Sequence, residues 1–130
     1  MKNILIVEDD NLMRQFYSIL FKKHGFETFI SDDGEKIIEY LQKEPISIIV
    51  LDINLNNTYL NGKQINGLAL LKIIKQIKKY ENVPVVLVTA HSITQQKDFL
   101  NVTGSKDIWI TKPIANYSEF VEKINSLISN

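Results

Sequence analysis

Ile4-Leu5-Ile6-Val7-Glu8-Asp9-Asp10 sets four apolar residues directly against three acids. The same arrangement returns along the chain. Residues 46–51 are rich in Ile, Val and Leu and lead into Asp52, and residues 83–88 lead into Thr89. These runs lack the polar alternation of a half-exposed strand and suit parallel strands covered on both faces. Residues 26–30 and 108–110 are weaker strand candidates, the latter running toward Lys112-Pro113.

Five helix candidates separate the runs. Residues 11–24 put Leu12, Phe16, Ile19 and Leu20 on one face, with Asp10 or Asn11 able to cap the start and Gly25 placed where helices stop. Residues 36–42 offer Ile37, Ile38 and Leu41, and residues 68–80 offer Leu70, Leu71, Ile74 and Ile77. Residues 94–102 are poorly patterned, whereas residues 117–129 offer Phe120, Val121, Ile124 and Ile128. Strand and helix alternate five times, which predicts an open, doubly wound α/β sheet with helices on both faces. Right-handed crossovers would bring every strand-to-helix loop to the carboxyl end of that sheet.

The chemistry-bearing residues follow from that placement. Glu8, Asp9, Asp52, Thr89 and Lys112 would all converge there. Neighbouring strands lie about 4.8 Å apart, so the carboxylates would repel one another unless a cation joined them. Oxygen-only donors favour a hard ion such as Mg²⁺ over zinc. A carboxylate nucleophile, a metal, a lysine and a hydroxyl together suit phosphoryl transfer onto aspartate. Each residue alone has a plainer role: acids at a helix start, Asp52 as a turn residue, Thr89 as a cap, Lys112 as a surface charge. It is their joint position at one end of a five-fold βα pattern that singles them out.

Composition narrows the class. The 130 residues fit one domain, 1–130, with a core of its own, and hydrophobic and charged fractions of 45% and 23% are ordinary for a globular protein. Fifteen basic residues balance fifteen acidic ones, unlike a nucleic-acid binder. The absence of cysteine excludes a disulfide framework and fits a reducing, cytoplasmic setting. The first apolar run is too short for a membrane span or a signal-peptide core.

ILIVEDD, IIVLD, VLVTA and ITKP together resemble the response-regulator receiver family of bacterial two-component signalling, in order and near family spacing across the chain. The resemblance implies a flavodoxin-like, five-stranded parallel sheet of order 2-1-3-4-5 flanked by five helices. It makes Asp52 the phosphoacceptor. Asp9 becomes a direct Mg²⁺ ligand, Glu8 a ligand through water, and the backbone carbonyl of Asn54 a further ligand. Thr89 resembles the switch hydroxyl, Lys112 the lysine that pairs with the phosphoryl group, and Trp109 the switch aromatic, where Tyr or Phe is more usual. Asn54 and His91 stand where the family tunes phosphoryl lifetime. A cis Lys112–Pro113 bond is implied as well. The implied partners are a sensor histidine kinase or histidine phosphotransfer protein and an unknown downstream protein target. That target would read a face formed by the fourth helix, fifth strand and fifth helix. Neither nucleic acid nor membrane is an expected direct partner, and the only expected catalysis is on the chain's own aspartate.

One stretch departs from the family. A Pro is usual four residues after the phosphoacceptor, where this chain has Asn56, and the usual Gly matches Gly67 only after about seven extra residues. The insertion, residues 56–64, reads either as a tolerated polar surface loop that adds little to stability or as a lip over the acidic pocket. Two other functions remain open on sequence. A Mg²⁺-dependent phosphohydrolase with an aspartyl-phosphate intermediate would usually need a second Asp where Asn54 stands, and a flavodoxin-like binding module would not need Lys112 or the acids. The chain reads as receiver-only, or as the amino-terminal receiver of a longer regulator.

Overall fold

The computed structural model describes residues 2–90 and 101–128. Five parallel strands form the sheet: β1 (Lys2–Val7), β2 (Phe26–Ser31), β3 (Ile48–Asp52), β6 (Val85–Thr89) and β7 (Ile108–Thr111). Their order is β2-β1-β3-β6-β7, with β4 (Tyr59–Leu60) and β5 (Lys63–Gln64) forming a separate antiparallel hairpin. Without the hairpin strands this is the expected 2-1-3-4-5 sheet. Register aligns Val7 with Leu51, Asp52 with Val88 and Thr89 with Thr111, so the strand ends sit side by side.

Two apolar layers enclose the sheet, as its continuous hydrophobic strands require. On one face Leu5, Val7, Ile49, Leu51 and Leu87 meet α2 (Gly34–Lys43) and α3 (Gly67–Gln76). On the other, Ile4, Ile6, Val50 and Val88 meet α1 (Asn11–Lys23) and α4 (Tyr117–Ile128). Four α-helices are thus present among the described residues. The remaining helix candidate, residues 94–102, lies mostly outside them, and Asn101 and Val102 form a turn.

Local chemistry explains the boundaries. The Asp10 side chain caps α1 by accepting the N–H groups of Leu12 and Met13, and Asp33 caps α2 through Glu35. The expected continuous helix over 68–80 instead ends at Gln76. Ile77 is extended, and a single 3₁₀ turn (Lys78–Tyr80) carries Tyr80 into the core, where its hydroxyl donates to the Glu44 carbonyl at 2.6 Å.

The orientation of α1 corrects the expected apolar face. Leu12, Phe16 and Ile19 are exposed, while Tyr17 and Phe21 are buried. Phe21 makes edge contacts with Phe26 and Phe120, so an aromatic cluster sets the rotation of the helix.

The insertion is a mostly exposed hairpin that also packs against the fold at a few points. Asn61 and Gly62 have φ of 53° and 78°, the two positive values of a tight hairpin turn. The hairpin lies on the start of α2: a Cβ at Gly34 would stand 2.3 Å from the Tyr59 carbonyl oxygen. The Asn61 N–H donates to Glu35 at 3.0 Å, and Thr58 is fully buried. Most of the segment nevertheless faces solvent, as expected: within residues 56–64 only Thr58 is buried and Leu60 half-buried.

Candidate functional site: an acidic pocket at the carboxyl end of the sheet

β1 ends one residue before Glu8, and β3 ends at Asp52, because the apolar runs that buy burial on both faces stop there. Adjacent parallel strands then bring the acids together: carboxylate oxygens of Glu8, Asp9 and Asp52 lie within 4.8 Å of one another. Glu8 and Asp52 are buried, and Asp9 is half-buried. Oxygen donors alone, three of them carboxylates, fit a hard divalent cation such as Mg²⁺.

Lys112 enters from β7's end. Its ammonium stands 3.0 Å from Asp52 Oδ2 and 4.0 Å from Glu8 Oε1. The Lys112–Pro113 bond is cis, as the resemblance implied, and the Lys112 N–H donates to the Thr89 carbonyl at 2.7 Å. The other Asp52 oxygen, Oδ1, accepts the Asn54 N–H at 2.9 Å. Both oxygens of Asp52 are therefore met by donors.

Burial pushes the Glu8 carboxyl up to about 7, and the charge of Asp52 and a hydrogen bond with it add to the rise. The Asp10 N–H, at 3.1 Å from Glu8 Oε2, and the charge of Lys112 pull the other way. Nearby, burial first and the charge of Glu8 second raise the Tyr17 phenol well above its ordinary value. Three carboxyl groups face one lysine here, and their mutual repulsion is what a bound cation would relieve.

The structure brings Glu8, Asp9, Asp52, Asn54, Thr89 and Lys112 to one end of the sheet. Thr89 is buried at the end of β6. Trp109 sits in register with Leu87 and packs, half-buried, on the α2–α3 side of the sheet. It lies two residues before Thr111, the register partner of Thr89. His91 falls outside the described residues.

Four contacts have no counterpart in the sequence pattern. Arg14 donates to the Glu8 carbonyl at 3.0 Å and pairs with Asp32 at 3.1 Å. Its charge on the polar side of an amphipathic helix gives no signal of this role. The N–H groups of Asn56 and Ala90 bind Asp9 Oδ2 and Asn54 Oδ1 at 2.8 and 3.1 Å. Backbone donors carry no residue signature.

The response regulator receiver domain model matches residues 4–125, nearly the whole chain. This chain belongs to the response-regulator receiver family. A response regulator described as NtrX-like from Rickettsia conorii is 31% identical over 114 residues, 88% of this receiver but 22% of that protein. The receiver therefore spans about a fifth of the length of the NtrX-like relatives it matches. The polar-differentiation response regulator DivK of Brucella abortus is 26% identical, with 99% of this chain and 98% of that one covered. Among solved structures, the chemotaxis protein CheY4 of Vibrio cholerae has a TM-score of 0.82 at 21% identity, covering 98% of both chains. The receiver domain of sensor histidine kinase PA1611 from Pseudomonas aeruginosa, with a magnesium ion coordinated in its active site cleft, has a TM-score of 0.80 at 17% identity, covering 99% of this chain and 98% of that one. The receiver is a signalling module of two-component systems, a class that accepts phosphoryl groups from histidine kinases. No helix among the described residues is long and apolar enough to cross a membrane.

Proposed function

We propose that this chain works as one cytoplasmic receiver domain over residues 1–130, taking a phosphoryl group on Asp52 from a sensor histidine kinase or a histidine phosphotransfer protein. The observation that carries this reading is the setting of Asp52. It is a buried strand-end carboxylate with Lys112 at 3.0 Å and the acids Glu8 and Asp9 beside it.

In the transfer, an Asp52 oxygen attacks phosphorus. A new O–P bond forms as the bond to the donor's imidazole nitrogen breaks, and the electron pair leaves with that nitrogen. Lys112 stays beside the accepting oxygen and offsets charge on the phosphoryl group. The Asn54 N–H orients the carboxylate before attack. Asp9 and Asp52 with the Asn54 carbonyl would hold Mg²⁺ directly, and Glu8 through water. When bound, the ion supplies positive charge against the phosphoryl oxygens. Thr89 would then hydrogen-bond the new phosphoryl group, and Trp109 would respond to that movement, altering the face a downstream protein reads. Asn54 and His91 would set how long the phosphoryl group survives.

The phosphohydrolase alternative is weaker. Asn54 cannot serve as an acid or base, and its side-chain oxygen is engaged by Ala90.

The test is labelling with acetyl phosphate and Mg²⁺, read by intact mass. The wild type should gain one phosphoryl group, and Asp52→Asn should gain none. Equal labelling of the variant would remove Asp52 from the role.

A further inference from the structure

The inserted segment touches the acidic pocket at one point. The Asn56 N–H donates to Asp9 Oδ2 at 2.8 Å. The Gln64 side-chain amide in turn donates to the Asn56 carbonyl. These residues open and close the hairpin, so its two ends meet beside Asp9.

The hairpin is fixed from behind. The Ile65 N–H donates to the Thr58 carbonyl at 2.8 Å, and the Asn61 N–H donates to Glu35 at 3.0 Å. Thr58 is fully buried, and Tyr59 lies directly on Gly34 of α2. The Asn56 donor is thus held by a packed element. A proline, usual at this place in the family, has no N–H to give. The contact with Asp9 comes with the departure from the family pattern.

We infer that the inserted hairpin is a positioning element for Asp9, with Asn56 holding its carboxylate through the backbone and Gln64 holding Asn56. This rests on the reading of the pocket as a Mg²⁺ site. A carboxylate already held in one orientation loses less side-chain freedom when it takes a cation, so the bond strengthens cation binding. The insertion acts on the pocket without contributing a ligand.

The backbone origin of the donor gives a sharp test. Asn56→Pro removes the N–H, whereas Asn56→Ala keeps it and removes only the side chain. Mg²⁺ affinity of the unphosphorylated protein would be measured by titration calorimetry, with thermal melting to follow folding. Asn56→Pro should weaken Mg²⁺ binding about three- to tenfold, the range of one ordinary net hydrogen bond, while Asn56→Ala stays within about twofold of wild type. Gln64→Ala should fall between them, and it keeps the inference testable if Asn56→Pro does not fold. Wild-type affinity in both Asn56→Pro and Gln64→Ala would overturn the inference alone. So would equal weakening in Asn56→Ala and Asn56→Pro, because the side chain would then be responsible. A wild type that takes up no Mg²⁺ would overturn the reading of the pocket, and the positioning role with it.

Discussion

The side-chain oxygen of Asn54 accepts the Ala90 N–H at 3.1 Å, tying the loop that leaves β3 to the loop that leaves β6. The tie lies two residues past Asp52 and one past Thr89, so it joins the segments carrying the proposed phosphoacceptor and switch hydroxyl. Sheet register already aligns Asp52 with Val88, and the Ile53 N–H makes a last bond to the Val88 carbonyl. Asn54 extends that pairing with a side chain where the backbone ladder stops.

Asn54→Ala should therefore free the Ala90 N–H without disturbing the backbone bond from residue 54 to Asp52. The loss should be about 1 kcal/mol of stability, the usual net value of one such bond. Amide hydrogen exchange at Ala90 should quicken in the variant while exchange within β3 stays unchanged. An unchanged Ala90 rate would mean that the bond does not hold the two loops together.

A second expectation concerns Glu8 and pH in the metal-free protein. Its folded pKa, about 7, lies above the ordinary 4.5. The folded state therefore binds the Glu8 proton more tightly than the unfolded state does. The resulting contribution is fully present below the unfolded value and is lost as pH rises through the folded one. The shift corresponds to a loss on the order of 3 kcal/mol between these pH values. Urea denaturation in chelator at pH 5 and pH 8 measures it. Glu8→Gln, neutral throughout, should show a flatter profile, since groups common to both proteins cancel in the comparison. Parallel profiles would argue against a proton on Glu8 near neutrality.

At the opposite end of the sheet, Asp107 is a structural anchor. Lys75 pairs with it at 3.0 Å, and its side chain is only 1% exposed. It also accepts the N–H groups of Val85 and Gly104 at 2.8 and 2.7 Å, joining the start of β6 to the approach to β7. Asp107→Ala leaves two N–H groups without their acceptor and the Lys75 ammonium with only the Val83 carbonyl, at 3.2 Å. A loss of about 3–5 kcal/mol follows from breaking a buried pair on one side. Chemical denaturation should show it, and a loss below 1 kcal/mol would place the pair among ordinary surface ion pairs.

The legible parts of the fold are those with a one-dimensional signal. β1, β3 and β6 are buried on both faces, so their sequence is continuously apolar. Asp52 was legible for the same reason, since it stands where such a pattern breaks, whereas Lys112 follows the half-buried β7 and stood out by its place in the βα order. The face of α1 was not legible, because Leu12, Phe16 and Ile19 compete with Met13, Tyr17, Leu20 and Phe21 for the same helical period. Contacts with Phe26 and Phe120, from distant elements, decide between them. Asn61-Gly62 did carry a hairpin signal, but strands of two residues each give no alternation to support it. The Asn56–Asp9 bond spans 47 residues and uses a backbone donor, so nothing in the residue types announces it.

Trp109 offers the test of coupling between the pocket and the rest of the sheet. It is the chain's single tryptophan, so its emission is unambiguous. Leu87 and Thr89 lie two apart on β6 and share one side of the strand, and Trp109 is the register partner of Leu87. Trp109 is thus a diagonal neighbour of Thr89, close enough for a large ring to sense a shift there. The ring is already half-buried against the α2–α3 core layer, so a further inward move has limited room. Beryllofluoride with Mg²⁺, a stable mimic of the phosphoryl group, should change Trp109 emission, and the change should be partial. Thr89→Ala should weaken the response because the hydroxyl proposed to follow the mimic is gone. Mg²⁺ alone should do less, since the proposed site engages the acids and not Thr89. Equal responses to Mg²⁺ and to the mimic would make Trp109 a reporter of the acidic pocket, with no part in the switch.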